Sequence, residues 1–554
     1  MKLTVFQTSS LNKTFLDSQT EPLALDKMSC LKGEEIAYQL VCRVEDYDDL
    51  KLVWKVDVES ELAQYITVRE VGQVPSELPA YLQIPNGYDD DYLTLKPGLF
   101  PDPLYPLVNG TVELIPNYFR SLWVSIRVPE DAKAGTFPIA ITLTEAGSGL
   151  AETAKLELEI IDAVLPEQEL IVTQWFHSDC ISSYYKLKPL SPKHWQWLEK
   201  FIATAADNGI NMLLTPIFTP PLDTEVGRER PTVQLVDIAL ENGQYTFGFA
   251  KLKRWIRMCK KHGIKYFEMA HLFTQWGAKF TPKIVVKENG VEVKKFGWHV
   301  AAESAEYVEF LQQFLPALTA FLKAEGVAEN TVFHISDEPH APDRDQYRKV
   351  RNIVKPLIEG FRVLDASSDY PLYEEGLVDT PAASITKIGP YLENKVSPLW
   401  AYYCCSQFSK VSNRFMAMPS YRNRIIGLQL YKFSIEGFLQ WGYNFYYSQL
   451  SRSVINPFAT TDAKNAFPSG DAFSVYPGEN EVIESLRLKV FKDALQDMRA
   501  LRLLEKYMTH DEIVAMIEEY TNCDLQFYNY PKGEAVMLGL REKINSLIKS
   551  YIIK

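Results

Sequence analysis

The chain has 554 residues, 46% of them hydrophobic and 23% charged, which excludes a disordered polymer or a fibre and leaves room for several domains. Acidic residues outnumber basic ones 71 to 58, for a formal net charge of -13. A surface of that sign repels phosphate backbones and argues against a nucleic acid partner. No run approaches the roughly 18 to 20 apolar residues that span a bilayer. The opening MKLTVFQTSSLNKTF has neither the apolar stretch nor the cleavage site of a secretion signal, so the expected location is the cytoplasm, with no membrane contact.

Three regions follow in chain order. Residues 1–166 read as strands: Leu122, Val124, Ile126 and Val128 alternate with polar neighbours, as do Phe137, Ile139, Ile141, Leu143 and then Leu156, Leu158, Ile160. Period-two alternation means one buried and one solvated face, as in an antiparallel sandwich. Within this region 86–106, rich in Gly, Pro and Asp, reads as a long ordered loop. Asp89-Asp90-Asp91 lacks the spaced ligands of a calcium loop and reads as a solvated acidic turn.

From 167 the rhythm changes to short apolar runs separated by helical patterns. Eight candidate strands begin near Leu170, Ile210, Ile264, Thr331, Phe361, Ala382, Leu399 and Phe438. Ser191-Pro192 supplies an N-cap and a first-turn proline to the helix bearing Trp195, Leu198 and Ile202. Eight alternating units suit a (β/α)8 barrel, and the competing doubly wound sheet lacks its Gly-rich first turn. Beyond 480 the pattern is helical, with Thr509 and Glu512 forming a capping box. The reading is a multidomain α/β plus β chain: an N-terminal antiparallel β-sandwich (1–166), a central TIM-like (β/α)8 barrel (167–479) and a C-terminal helical segment (480–554). The seven cysteines, Cys30, Cys42, Cys180, Cys259, Cys404, Cys405 and Cys523, show no zinc spacing. They read as reduced, mostly buried thiols, and neither a metal nor any other cofactor is expected.

Barrel active sites form at strand C-terminal ends and the loops that follow. Applied here, that rule selects Trp175 and His177 after the first strand, Glu268 and His271 at the third, Asp365, Asp369 and Tyr370 at the fifth, Trp400, Tyr402 and Tyr403 at the seventh, and Trp441 and Asn444 at the eighth. The sharpest signal is Asp337-Glu338-Pro339 after the buried run Val332-Phe333-His334-Ile335. Two carboxylates this close cannot both ionise freely, so one proton is held to higher pH, as a general acid requires. The competing structural reading has Asp337 capping the next helix and Glu338 pairing with Arg344 or Arg348.

With these residues in hand, the chain resembles glycoside hydrolase family 123 and the larger set of proteins sharing its catalytic domain. The likeness rests on Leu99-Phe100-Pro101-Asp102-Pro103-Leu104, the turn at 128–137, and Trp175 with Tyr184-Tyr185 and Trp197. It continues through Asn208-Gly209-Ile210-Asn211, Asp337-Glu338-Pro339, 400–403, 437–444 and Tyr476-Pro477-Gly478. The resemblance implies a retaining exo-acting β-N-acetylgalactosaminidase without a protein nucleophile, in which the substrate's acetamide oxygen attacks the anomeric carbon. That route is an exception to the usual two-carboxylate scheme. Carried over, Asp337 orients the acetamide and Glu338 is acid, then base. A tyrosine is implied at the acetamide oxygen, with Tyr370 as first candidate and Tyr402 as second. Trp400 and Trp441 are candidates for the sugar's apolar face and the acetamide methyl, and His177, His271, Asp365 and Asp369 for sugar hydroxyls. Two rival readings stay open: a retaining glycosidase using Glu268, Asp365 or Asp369 as nucleophile, and a non-catalytic sugar-binding or scaffold protein.

Overall fold

A computed structural model of the chain describes residues 2–18, 23–45, 51–81, 89 and 91–553. The N-terminal region holds two five-stranded sheets. One runs in the order Lys2–Ser9, Glu35–Glu45, Arg120–Arg127, Ile66–Ser76, Gly98–Pro106; the other in the order Lys27–Lys32, Ala151–Val164, Gly135–Glu145, Leu52–Glu59, Thr111–Leu114. The alternating residues of the sequence point inward: Leu122, Val124 and Ile126 of one sheet share a single apolar cluster with Ile139, Ile141, Leu156 and Leu158 of the other. Their burial removes apolar surface from water at about 25 cal/mol per Å².

Three details differ from the sequence reading. Lys27–Lys32 pairs parallel to Ala151–Val164, so the second sheet is mixed rather than wholly antiparallel. Part of the expected loop at 86–106 is a strand, Gly98–Pro106, paired with Ile66–Ser76; residues 86–88 and 90 lie outside the described set. Its three prolines disguised it, yet it is an edge strand, where missing N–H donors are tolerated. Nor is the acidic turn solvated. Asp89 is buried, its carboxylate 3.0 Å from Arg422 and accepting the Lys410 amide at 2.7 Å, while Asp90 is outside the described residues.

The central region closes into a barrel of eight parallel strands, Ile171–Gln174, Met212–Thr215, Tyr266–Met269, Thr331–Phe333, Arg362–Ala366, Thr380–Ser384, Trp400–Tyr402 and Gly437–Gln440. Each begins within two residues of its expected start. Parallel strands need crossover connections, and a helix lies in every one of the seven between them. The helix Pro192–Asp207 is capped by Ser191, whose side chain accepts from the His194 amide. Two hairpins, Asp237–Glu241 with Gln244–Gly248 and Ile284–Glu288 with Val291–Phe296, interrupt the second and third crossovers and join into one four-stranded sheet.

The helix Leu486–Leu504 packs on the barrel helix Ile426–Lys432, so closely that a Cβ at Gly427 would lie 2.1 Å from the Ala494 carbonyl oxygen. Thr509 and Glu512 make the expected capping box. The last helix, Glu534–Ile553, returns to pack on Lys27–Lys32 and Ala151–Val164, bracing the sheets against the barrel. Among the described residues no helix is long and apolar enough to cross a membrane.

Candidate active site

The fourth barrel strand delivers the acid pair. Beyond Thr331–Phe333 the chain stays buried through His334, Ile335 and Ser336, then emerges at Asp337 and Glu338, both half-buried. In a regular strand these neighbours would face opposite ways. Glu338 instead has φ 46°, a left-handed conformation that a non-glycine residue adopts at a cost of about 1–3 kcal/mol. Pro339 sets the exit, and the loop after the third strand laces the segment down. The amides of Leu272, Phe273 and Trp276 donate to the carbonyls of His334, Ile335 and Asp337 at 3.2, 3.0 and 3.3 Å. The bend brings both carboxyl side chains to the lining of one pocket.

That pocket encloses ≈ 150 Å³. Its walls are Trp175, Trp441, Leu439 and Phe467, with Tyr402 beside the acids. Both indoles are fixed by their N–H groups: Trp175 donates to Glu268 at 2.8 Å and Trp441 to Asp471 at 2.8 Å. Tyr402 donates to Glu338 Oε1 at 2.8 Å, and Ser368 Oγ lies 3.2 Å from the same phenol oxygen. Burial, then the Glu338 charge beside it, pushes the Asp337 carboxyl well above the usual carboxylate range. Acids this close titrate as a unit, so the raised proton affinity belongs to the pair. A third carboxyl in the lining, Asp223, is pushed by burial to about 6. Larger grooves lie elsewhere, one of ≈ 800 Å³ along Arg127, Asp207 and Glu484, where Asp207 is paired with Arg127 and Glu484 with Lys489.

A model of the glycoside hydrolase 123 catalytic domain matches residues 175–504. The chain belongs to glycoside hydrolase family 123. Among solved structures, a family 123 glycoside hydrolase from Clostridium perfringens, studied for glycolipid glycan hydrolysis, superposes with a TM-score of 0.72 at 16% identity, covering 100% of this chain and 98% of that one. A Bacteroides uniformis β-glucuronidase (TM-score 0.30, 9% identity, 85% of this chain and 48% of that one) and a Thermotoga petrophila endo-β-1,4-mannanase (0.33, 12%, 60% and 77%) match far more loosely. No protein of curated function matches the chain. The family makes the chain a glycoside hydrolase, and the first superposition extends its fold over the whole length.

In this family 123 chain the structure gathers Asp337, Glu338, Trp175, Tyr402 and Trp441 around one pocket and leaves the other candidates outside its lining. His177 is fully buried: its Nε2–H is 2.9 Å from the Trp441 carbonyl and its Nδ1 accepts from Arg230 at 3.1 Å. Burial, reinforced by Arg230, drops its pKa to about 3, so it is a neutral strut. Asn444 is likewise interior, bonded to the His177 backbone on both sides. Trp400 packs over Gly437, and Tyr403 packs edge-on against Phe438. His271 lies inside the barrel, stacked on His334. Tyr370 packs edge-on against Tyr391. Asp369 accepts the Ala341 amide at 2.9 Å. Arg344 and Arg348 pair with Glu375 rather than Glu338.

The rival nucleophiles are placed too. Glu268 and Asp365 are fully buried in the barrel interior, held by His334, and neither reaches the pocket. Sequence reasoning missed Asp223, Gln275, Trp276, Cys404 and Cys405, which do line it. Cys404 and Cys405 sit just past the seventh strand, next to residues already selected. Asp223 and Trp276 lie seven or more residues beyond their strand ends, and only their left-handed φ values of 39° and 56° mark them. Among the described residues no cluster of three or more His, Cys, Asp or Glu side chains has the arrangement of a metal site.

Proposed function

We propose that this enzyme is a retaining exo-hydrolase that removes a terminal β-linked N-acetylgalactosamine, or a related N-acetylhexosamine, with the substrate's own acetamide as nucleophile. The observation that carries the reading is the pocket's inventory. Asp337 and Glu338 project together into a small aromatic-walled space, while Glu268, Asp365 and Asp369 are engaged outside it. Asp223, the remaining carboxyl of the lining, accepts the Leu450 amide at 2.9 Å and is pushed by burial to about 6, half protonated at that pH, which makes it a fair partner for a sugar hydroxyl.

The chemistry runs in two steps. The acetamide oxygen attacks the anomeric carbon as Glu338 gives its proton to the departing glycosidic oxygen, closing an oxazolinium ring. Asp337 accepts the acetamide N–H, which lets the nitrogen lone pair push toward the carbonyl oxygen. Binding also moves the shared proton: an N–H aimed at Asp337 favours its anion and leaves the proton on Glu338, where it is used. In the second step Glu338 takes a proton from water, whose oxygen adds to the anomeric carbon from the vacated face and reopens the ring. Two inversions give net retention. We assign Tyr402, bonded to Glu338, to the acetamide oxygen, and the pocket-lining Trp175 and Trp441 to the ring and the acetamide methyl. We assign the half-exposed, pocket-lining Trp276 to the leaving group.

A panel of chromogenic glycosides tests the substrate, with the β-N-acetylgalactosaminide expected to be turned over fastest. A thiazoline mimic of the cyclised acetamide is expected to inhibit competitively. Equal turnover of the unsubstituted galactoside, or indifference to the thiazoline, sinks the substrate-assisted reading.

A further inference from the structure

Beneath the acid pair, three barrel strands place a row of charge that the reaction above does not use. Glu268 of the third strand, His334 just beyond the fourth and Asp365 of the fifth have fully buried side chains. His334 Nε2 is 2.6 Å from Glu268 Oε1, and Nδ1 is 3.3 Å from Asp365 Oδ1. A carboxylate at each ring nitrogen means that both nitrogens carry protons, so the ring is an imidazolium. Burial alone would lower its pKa, but Asp365 and Glu268 together raise it to about 10. His271 stacks on this ring at 4.2 Å with both nitrogens unpartnered; burial and the neighbouring charge keep it neutral.

The row is wired to the pocket at both ends. Glu268 Oε1 accepts the Trp175 indole N–H at 2.8 Å and Oε2 accepts Thr173 Oγ1 at 2.7 Å, so one end fixes a pocket wall. Asp365 accepts the Ile335 amide at 3.0 Å, two residues before Asp337, and the Tyr347 hydroxyl. The charged and titratable groups facing His334 are therefore Glu268 and His271 from the third strand and its loop, Asp365 from the fifth, and Tyr347, which bonds Asp365, from the helix Arg344–Val354. Asp337, three residues further on, lies within reach of the His334 charge.

We propose that His334 is a positioning residue: an interior cation that sets the proton affinity of the Asp337–Glu338 pair and locks the Trp175 wall. This rests on the reading above only in that the pair carries the catalytic proton. The sign follows from charge. The imidazolium favours anionic carboxyls above it, and Asp365 opposes it. The active form holds one proton, so the acidic limb of the kcat/KM profile is addition of a second proton and the alkaline limb is loss of the first.

The test is the pH profile of kcat/KM for the full-length enzyme and two variants, with thermal unfolding monitored alongside. His334→Gln removes the cation and is expected to move both limbs to higher pH by at least about half a unit. Asp365→Asn removes an opposing anion at nearly constant shape and is expected to move them the other way. If His334→Gln does not fold, the downward shift in Asp365→Asn decides. Lower activity with unmoved limbs, or shifts of the same sign, means that the row only supports the fold and overturns the proposal. Wild-type turnover by Glu338→Gln would instead sink the reading of the pair itself, and this proposal with it.

Discussion

At the junction between the sheets and the barrel, buried acids are matched to cations, whereas at the barrel mouth two acids face each other. Asp102, in the edge strand Gly98–Pro106, is gripped by Arg487 at 2.8 and 2.9 Å and also bonded by Tyr476. Asp497 lies between Arg424 and Arg541. Glu35 is 2.5 Å from both Lys489 and Lys492. Asp337 and Glu338 have no lysine or arginine partner among the described residues, only the Tyr402 hydroxyl. Burial pushes Glu35, Asp497 and Asp337 toward the neutral form. At the junction the cations overcome it, and Glu35 and Asp497 are held below their ordinary range. At the mouth no lysine or arginine opposes it, and the Asp337 carboxyl stays well above the usual carboxylate range. The comparison separates charge spent on holding the molecule together from charge left available.

The largest expected effect of breaking it is on folding. Asp102→Ala leaves Arg487 buried without its partner, and removing one member of a buried pair costs about 3–5 kcal/mol; a denaturant midpoint that barely moves would show the pair to be dispensable. Next is Tyr402→Phe. Its hydrogen bond to an ionisable group is worth about 1.5–3 kcal/mol, so kcat/KM should fall roughly 10- to 150-fold while thermal stability is unchanged. Equal loss of both would make Tyr402 a structural residue.

A pH series sharpens the contrast further. Because the folded pKa of Glu35 is depressed, its contribution to stability is present above its unfolded value near 4.3 and is lost as pH falls through the folded value. Wild-type stability should therefore drop with acidification below about pH 4.3, and the drop should be shallower in Glu35→Gln. Urea midpoints from pH 7 to 3 measure this. The smallest effect is expected for Tyr370→Phe, which alters a side chain outside the pocket: kcat/KM should stay within about twofold.

The barrel was legible because its strands are buried on both faces and read as short apolar runs, and because Asp337-Glu338-Pro339 falls where the fourth one ends. The two inserted hairpins fall outside the eight-unit rhythm, although their turns, Asn242-Gly243 and Asn289-Gly290, adopt the positive φ that such a pair favours. The strand Gly98–Pro106 was concealed by its prolines. Membership of the pocket was harder. Trp400, Tyr403 and Asn444 have the right residue types at the right strand ends, yet strand twist and the following loops turn them inward. Asp223 and Trp276 reach the pocket from long loops whose course depends on tertiary contacts. The motifs behind the family resemblance divide in the same way: Asp337-Glu338 builds the site, while Asp102 and Tyr476, far apart in sequence, meet at Arg487 in the junction.

The central claim is that the two neighbouring acids do different work on one sugar. Its most direct measurement compares Glu338→Gln and Asp337→Asn on two β-N-acetylgalactosaminides, one with an alkyl and one with a dinitrophenyl leaving group. Proton donation contributes about 10²- to 10⁴-fold, so Glu338→Gln should lose that much on the alkyl glycoside and far less on the activated one. Asp337→Asn should be impaired on both alike. Small, equal losses in the two variants, independent of the leaving group, would contradict the account.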